Sequence, residues 1–434
     1  MGSISKSNVR RCPSIELRVL TCITTFLLLT GLRTPLDLPL TLGSCLIMAA
    51  WPSSRLPAGS AWRIDLAAAL LGVISILIQG SPDGTLSAFI GGCITILGVR
   101  GLARQIASQG KPLTACVAWT ATGTALLSCL VLIASTQSTT GDSIRQWAYP
   151  NLDQLIERAI DTGGIIGEAT QGGLSPTTVS MGYQLAMVAP LLFGWALSRR
   201  RSVIVGTLTL GLFAFGLLLL GQRSALAASI LGLLGLLLAV PEFRRRALLA
   251  GTLIAACGVL YAPTILDSLQ GRSYNLLQRW GDSTGDPDER FSVQLWAIQQ
   301  IPHRPFGFGS AEEYRRHGPV VGNRVIGPHN HLITITILYG WTVGLILSML
   351  IVLGLDAAFR SLGLLASLKV DNRWPACFAL CLLTVLLNGF AHNSGLASLD
   401  GPSMLALFMV LATCSFETDG HCATTRRTSM AQPA

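Results

Sequence analysis

Residues 202–220 of the chain read SVIVGTLTLGLFAFGLLLL, an uncharged run long enough to cross a membrane as a helix. Similar runs recur along the sequence, which is 50% hydrophobic and only 12% charged. Soluble domains average about 25% charged residues. The pattern predicts an all-α polytopic membrane protein, because a membrane β-barrel would show weaker, alternating segments.

About twelve apolar segments are candidates for membrane-spanning helices. They are residues 17–32, 36–51, 62–80, 85–99, 113–134, 176–198, 202–220, 224–240, 247–262, 331–354, 375–392 and 402–416. We find no soluble domain and no repeat at a fixed period, so residues 1–434 are predicted to form a single integral membrane domain. The basic start followed by an apolar run predicts an uncleaved signal anchor.

Charge placement predicts the orientation of these spans. With an even number of spans both termini lie on one side, and the short segments on that side hold most of the 31 lysine and arginine residues. The positive-inside rule places that side in the cytoplasm. The net charge of +9 follows largely from this topology. We therefore expect contact with membrane lipids and not with nucleic acid, which would need a soluble basic face.

Two polar segments, 135–175 and 263–330, interrupt the apolar pattern and are predicted to lie outside the membrane. In the first, residues 151–161 are expected to form an amphipathic helix at the membrane interface. In the second, a helix is expected from about 289 to 301, a tight turn with open N–H groups at 306–309, and a short helix around 310–317. None of the eleven cysteines lies in either segment, so we interpret them as small apolar core residues.

Two arginines are candidates for binding an anion. Arg223 lies between two apolar spans, where it either snorkels to lipid phosphate or binds the anionic group of a lipid substrate. Arg290 follows Asp288 and Glu289, so it either forms a loop salt bridge or supplies a functional guanidinium.

Histidines at the ends of spans are candidates for proton transfer. His329 precedes the tenth span, where it is either a helix-entry residue or a general base, since histidine is the side chain best suited to accept a proton near pH 7. Asn330 and His331 follow it directly. His392 ends the eleventh span and is interfacial or a substrate contact.

Several other chemistries lack their residues in this sequence. No histidine metal-binding box and no serine-nucleophile elbow occurs, and the outer loops show no paired acidic metal motif at the mouth of a span, so neither a metal nor a cofactor is expected. A transporter would usually show acidic residues deep in its spans or paired broken helices, and charges deep in these spans are scarce.

The order of these motifs resembles the O-antigen ligase and polymerase superfamily of bacterial cell-envelope glycosyltransferases. The matching residues are Gln222-Arg223-Ser224, Glu289-Arg290 followed by Trp296, Pro305-Phe306-Gly307-Phe308-Gly309, and His329-Asn330 with Gly340 after it. The family often has a small residue three positions after that glycine, whereas this chain has Val343 followed by Gly344.

The resemblance implies a GT-C-type, metal-independent, inverting transferase at the periplasmic face of a Gram-negative inner membrane, with both termini cytoplasmic. Its donor would be a glycan on undecaprenyl diphosphate. A ligase, the first expectation, transfers that glycan to lipid A–core; a polymerase extends another lipid-linked repeat unit. A protein O-oligosaccharyltransferase and a transporter are the remaining alternatives.

The resemblance also implies roles for individual residues. His329 would act as general base, and Arg223 and Arg290 would stabilise and bind the diphosphate. Asn330, His331, Gly307 and Gly309 would complete the substrate-binding site.

Overall fold

The computed structural model describes the chain as a bundle of helices. The structure describes residues 13–32, 39–52, 58–80, 85–137, 139–150, 173–198, 202–240, 243–260, 287–321, 324–365, 374–392 and 395–414. Helices α1 to α16 are, in order, Ile15–Thr30, Leu40–Ala50, Ala58–Gln79, Leu86–Gln109, Lys111–Gln137, Thr139–Ala148, Thr178–Ala196, Val203–Leu220, Arg223–Ala239, Phe243–Leu260, Pro287–Gln300, Ala311–His317, His331–Tyr339, Trp341–Leu365, Trp374–Gly389 and Gly401–Cys414. Strands β1 (Val320–Val321) and β2 (Arg324–Val325) form a small antiparallel ladder.

The chain is a helical membrane protein. Among the described residues, six helices (α3, α4, α5, α7, α8 and α14) are long and apolar enough to cross a membrane, and α2, α9, α15 and α16 are shorter apolar helices. Large apolar side chains face outward on these helices, for example Leu208 on α8 and Leu345 and Val352 on α14. Such an apolar exterior suits lipid and would be unfavourable in water.

Two predicted span boundaries are wrong. Helix α4 continues to Gln109 instead of ending near residue 99, which places Arg100 and Arg104 inside the helix. The predicted span 331–354 is two helices, α13 and α14, which are separated at Gly340. The chain turns there because Gly340 has a φ of 89° and a ψ of 178°, a conformation essentially restricted to glycine.

Helix α7 forms the centre of the bundle and packs against α5, α8, α9 and α15. It is buried on nearly every side, and small residues allow its neighbours to approach closely. A Cβ on Gly194 would lie 2.8 Å from the Cys377 sulfur of α15, and one on Gly232 of α9 would lie 3.1 Å from Pro190. Small residues at helix contacts are typical of membrane bundles, where close packing replaces the hydrophobic driving force. Among the described cysteines, the interpretation as core residues is confirmed for five that are buried, and three others are only partly buried. The buried ones are Cys45, Cys129, Cys377, Cys381 and Cys414, and the partly buried ones are Cys22, Cys93 and Cys116.

Ion pairs collect at one end of the bundle, which we call the basic end. Asp65 of α3 accepts hydrogen bonds from Arg100 and Arg104 of α4, and Arg63 pairs with Asp356 of α14 at 3.1 Å. These contacts bring together the start of α3 and the C-terminal parts of α4 and α14. The opposite end, where α7, α9, α13 and α16 begin, we call the histidine end.

Residues 287–321 and 324–340 pack into what we call the outer unit. Its apolar cluster joins Ala297 of α11, Phe308, Tyr314 of α12 and Ile337 of α13. The Phe308 and Tyr314 rings meet edge to face at 5.4 Å, and the Tyr314 hydroxyl donates to the Ile326 carbonyl at 2.9 Å. Burial raises the pKa of Tyr314 to about 12.

The polar segments match the prediction in part. The expected short helix around 310–317 is confirmed as α12, and the expected helix before Pro302 is confirmed as α11. Helix α6, within the 135–175 segment, was not predicted. The helix expected at 151–161, the start of the 263–330 segment and the N-terminal residues 1–12 lie outside the described residues.

Candidate functional site

His329 adopts a strained backbone conformation at the histidine end. Its φ of 51° is left-handed, and among the described residues only Leu399 shares this property without being glycine. Left-handed φ costs a non-glycine residue on the order of 1–3 kcal/mol, and such residues cluster at functional sites. The strain is maintained by its neighbours, since Pro328 before it is buried and Asn330 after it starts α13.

Asn330 and His331 both have structural contacts. The Asn330 side-chain oxygen accepts a hydrogen bond from the Ile333 amide at 3.2 Å and so caps α13. His331 is buried, and its Nε2 accepts from the Ala397 amide at 3.0 Å. An accepting Nε2 means that the proton of the neutral ring is on Nδ1. His331 therefore attaches the loop at 395–399 to α13, and substrate contact by either residue stays a prediction.

The loop that His331 attaches also carries an acidic group. Asp400 caps α16 by accepting from the Ser403 amide at 3.0 Å and the Ser403 hydroxyl at 2.5 Å. Burial raises the pKa of Asp400 to about 6, although the hydrogen bonds from Ser403 lower it. The histidine end thus has a carboxyl group that titrates in the same range as a histidine. Asp400→Asn retains the capping oxygen and removes this titration.

Arg223 is the first residue of α9, and its side chain is exposed. Gly221 before it is left-handed (φ 71°), and Gln222 occupies the N-cap position without a side-chain capping bond. The first amide groups of a helix without a cap attract anions, and a guanidinium beside them adds a full positive charge. Both features favour binding of a phosphate oxygen at the start of α9.

The start of α9 is tied to the end of α15. The Ser224 hydroxyl lies 2.7 Å from Nε2 of His392, and the His392 ring packs at 6.0 Å from Tyr183 of α7. His392 is therefore a partner of the residue next to Arg223. The sequence placed it at the interface and did not predict this contact.

Buried amide side chains lie just beneath this contact. Asn388 is fully buried, and neither its oxygen nor its nitrogen has a hydrogen-bond partner among the described residues. The same holds for the Gln222 oxygen and the Gln184 nitrogen. Unpaired buried polar groups are costly, and polar residues within membrane helices commonly mark functional sites. Sequence reasoning missed Gln184 and Asn388, and it named Gln222 only as part of the Gln222-Arg223-Ser224 motif, although amides in otherwise apolar spans were a visible signal.

Two hydrogen bonds connect the α9 end with the α13 end. His392, bonded to Ser224, lies just before the loop that includes Ala397, and Ala397 is bonded to His331. The structure therefore brings the helix that begins with Arg223 and the helix that follows His329 to the same end of the bundle.

Arg290 lies in the first turn of α11, and its side chain lies outside the described residues. Helix α11, which carries Arg290, packs against α13, because Ala297 of α11 and Ile337 of α13 belong to one apolar cluster. The outer unit thus connects the backbone at position 290 to the helix that His329 precedes.

The prediction of open amide groups at 306–309 is wrong. The amides of Phe308 and Gly309 donate to the carbonyls of Ile337 and Leu338 at 2.9 and 2.8 Å, and Gly307 donates to Arg304. The last carbonyls of a helix need external donors, and this loop supplies them to α13. Phe308 and Gly309 therefore hold the end of α13 in place, and Gly307 closes a turn onto Arg304. Substrate contact by Gly307 and Gly309 stays a prediction.

Among the described residues, no group of three or more histidine, cysteine or acidic side chains is arranged to hold a metal ion. No protein-family model matches the chain. No curated protein matches it either.

Proposed function

We propose that the chain is a glycosyltransferase of the O-antigen ligase and polymerase superfamily, and specifically a ligase. The observation that supports this most is the histidine end: an uncapped helix N-terminus with Arg223 is connected, through His392 and His331, to the strained His329. A cationic site for diphosphate and a candidate base are the two parts that transfer from a lipid diphosphate needs.

In this proposal the protein has a GT-C-type fold with twelve membrane spans. It lies in a Gram-negative inner membrane, and both of its termini are in the cytoplasm. The histidine end then faces the periplasm, and the basic end faces the cytoplasm as the positive-inside rule requires. The substrates are a glycan on undecaprenyl diphosphate and the lipid A–core acceptor.

In the proposed mechanism, His329 removes the proton from the acceptor hydroxyl as that oxygen attacks the anomeric carbon. The bond to the diphosphate oxygen breaks on the opposite face, so the configuration inverts. Arg223 and Arg290 stabilise the charge that develops on the leaving diphosphate, because guanidinium stays protonated and binds two oxygens at once.

The direct test uses the purified chain in nanodiscs with undecaprenyl-diphosphate glycan, lipid A–core and EDTA, followed by gel mobility. We expect glycan on lipid A–core, and we expect none with His329→Ala. A ladder of longer lipid-linked glycan without transfer to lipid A–core would instead identify a polymerase. With a matched donor, no product of either kind would contradict both and leave a protein-glycosylating enzyme or a transporter.

Arg223→Gln is expected to reduce kcat by about 100-fold or more, the usual effect of removing a group that stabilises transition-state charge. Arg223→Lys keeps the charge but loses the planar fork, so its activity should lie between those of Arg223→Gln and the wild type. Arg316→Gln is the matched control, because Arg316 is an exposed arginine that already pairs with Glu312 and Glu313. Wild-type kcat in Arg223→Gln would return Arg223 to the lipid-snorkelling interpretation.

A further inference from the structure

At the basic end, one carboxylate serves two guanidinium groups. Asp65 accepts from Nε of Arg100 at 2.7 Å and from Nη2 of Arg104 at 2.8 Å. This trio, which we call the Asp65 triad, has a net charge of +1. An anion is therefore the ligand that would balance its charge.

The Asp65 triad also has hydrogen-bond donors to spare. A guanidinium offers five N–H donors, and Asp65 engages a single nitrogen of each arginine. Arg100 and Arg104 lie four residues apart on α4, so both side chains leave the same face of the helix. Two arginine forks at this spacing suit the several oxygens of a phosphate group.

The position of the triad selects the source of that phosphate. The Arg100 and Arg104 side chains are 33% and 28% exposed, so the arginines are accessible without projecting freely into solvent. Leu97, one turn before Arg100, and Leu66, next to Asp65, are exposed apolar residues on helices that can span the membrane. The triad therefore borders the apolar surface of the bundle, where the headgroup of a lipid packed on that surface would be within reach.

A nearby tryptophan marks the same boundary. Trp62 at the start of α3 is half exposed, and the Arg63 guanidinium lies 5.4 Å from its ring. Tryptophan is enriched where a membrane helix meets the headgroup layer, and basic pockets between membrane helices bind anionic lipid headgroups.

We propose that Arg100 and Arg104 form a binding site for the phosphate of an anionic phospholipid, with Asp65 as the internal anion that competes for the same guanidinium groups. The site lies at the opposite end of the bundle from Arg223 and His329. It is therefore independent of the proposed transferase activity.

The first test measures retention of phosphatidylglycerol against phosphatidylcholine by native mass spectrometry of the full chain. We expect the wild type to retain phosphatidylglycerol selectively. Each arginine near an anionic lipid strengthens binding by about fivefold, so Arg100→Gln with Arg104→Gln should weaken it by roughly thirtyfold. Arg316→Gln, which removes an arginine already paired with two glutamates, should leave it unchanged. Equal retention by the double variant and the wild type would overturn the proposal.

Asp65→Asn tests the same proposal through an expected increase in phosphatidylglycerol binding. Removing the competing carboxylate leaves both arginines in place, so phosphatidylglycerol should bind more tightly than to the wild type. This variant decides the matter if the double arginine variant fails to fold. Weaker or unchanged binding in Asp65→Asn would overturn the proposal. So would displacement of phosphatidylglycerol by millimolar inorganic phosphate, because the site would then take soluble phosphate and not a lipid.

Discussion

His329→Ala is expected to reduce the kcat of glycan transfer by about 10²–10⁴-fold, the range that general-base catalysis supplies. The physical reason is that no other group then accepts the acceptor proton at this position. His331 cannot substitute without losing its contact, because its Nε2 already accepts from the Ala397 amide. The measurement is kcat with saturating acceptor, together with the melting temperature of the same preparation.

The left-handed backbone at position 329 suggests a second variant, which removes the base and keeps a residue that tolerates this backbone conformation. Asparagine tolerates positive φ better than most residues, so His329→Asn should fold as well as the wild type while lacking a base. His317→Asn is the control histidine: His317 is also in the outer unit, but it pairs with Glu313 at 3.0 Å on an exposed surface. Wild-type transfer by His329→Asn would exclude His329 as the base and leave it as a helix-entry residue.

The long helices were predictable because a continuous apolar run has few alternatives in a membrane. The segment 202–220 became α8 at Val203–Leu220, and 224–240 became α9 at Arg223–Ala239. The break at Gly340 was not predictable from hydrophobicity, since the sequence is apolar on both sides of it. It depends on a tertiary contact, in which the amide of Trp341 donates to the Pro305 carbonyl at 2.9 Å.

The site was predictable to a similar degree. The sequence placed Arg223 and His329 at helix starts, and both lie there. It could not show that the amides of Phe308 and Gly309 donate hydrogen bonds within the protein, because the carbonyls that accept them belong to the end of α13, which was not foreseen. The buried amides of Gln184, Gln222 and Asn388 come from three sequence regions, so only the packing of α7, α9 and α15 reveals their common location.

Gly340→Ala is expected to destabilise the outer unit by about 3 kcal/mol or more. Gly340 has a backbone conformation that L-residues avoid, and an added Cβ would lie 2.5 Å from the Pro305 carbonyl oxygen and 2.8 Å from Phe306 backbone atoms. Backbone atoms cannot move aside as a flexible side chain can. The contact between the loop at 305–309 and the α13–α14 junction should therefore open, and with it the bonds that hold the end of α13.

Trypsin cleavage after Arg315 and Arg316 reports this opening directly, because cleavage of a transiently open unit follows its equilibrium population. A loss of this size corresponds to a cleavage rate about 100-fold faster. Gly307→Ala should behave alike, since its Cβ would lie 2.5 Å from the Leu338 carbonyl oxygen.

Substitutions at two other glycines distinguish the effect of backbone strain from the effect of steric overlap. Gly309 shares the left-handed φ, at 78°, but a Cβ there meets nothing within 4 Å, so Gly309→Ala should have a smaller effect. Gly211 in the middle of α8 has open space and ordinary helical geometry, so Gly211→Ala should leave cleavage unchanged. If Gly340→Ala were cleaved no faster than Gly211→Ala, the close approach at Gly340 would not be what holds the outer unit. The break between α13 and α14 would then have to be stabilised by the Trp341 indole, which donates to the Ile301 carbonyl at 2.8 Å.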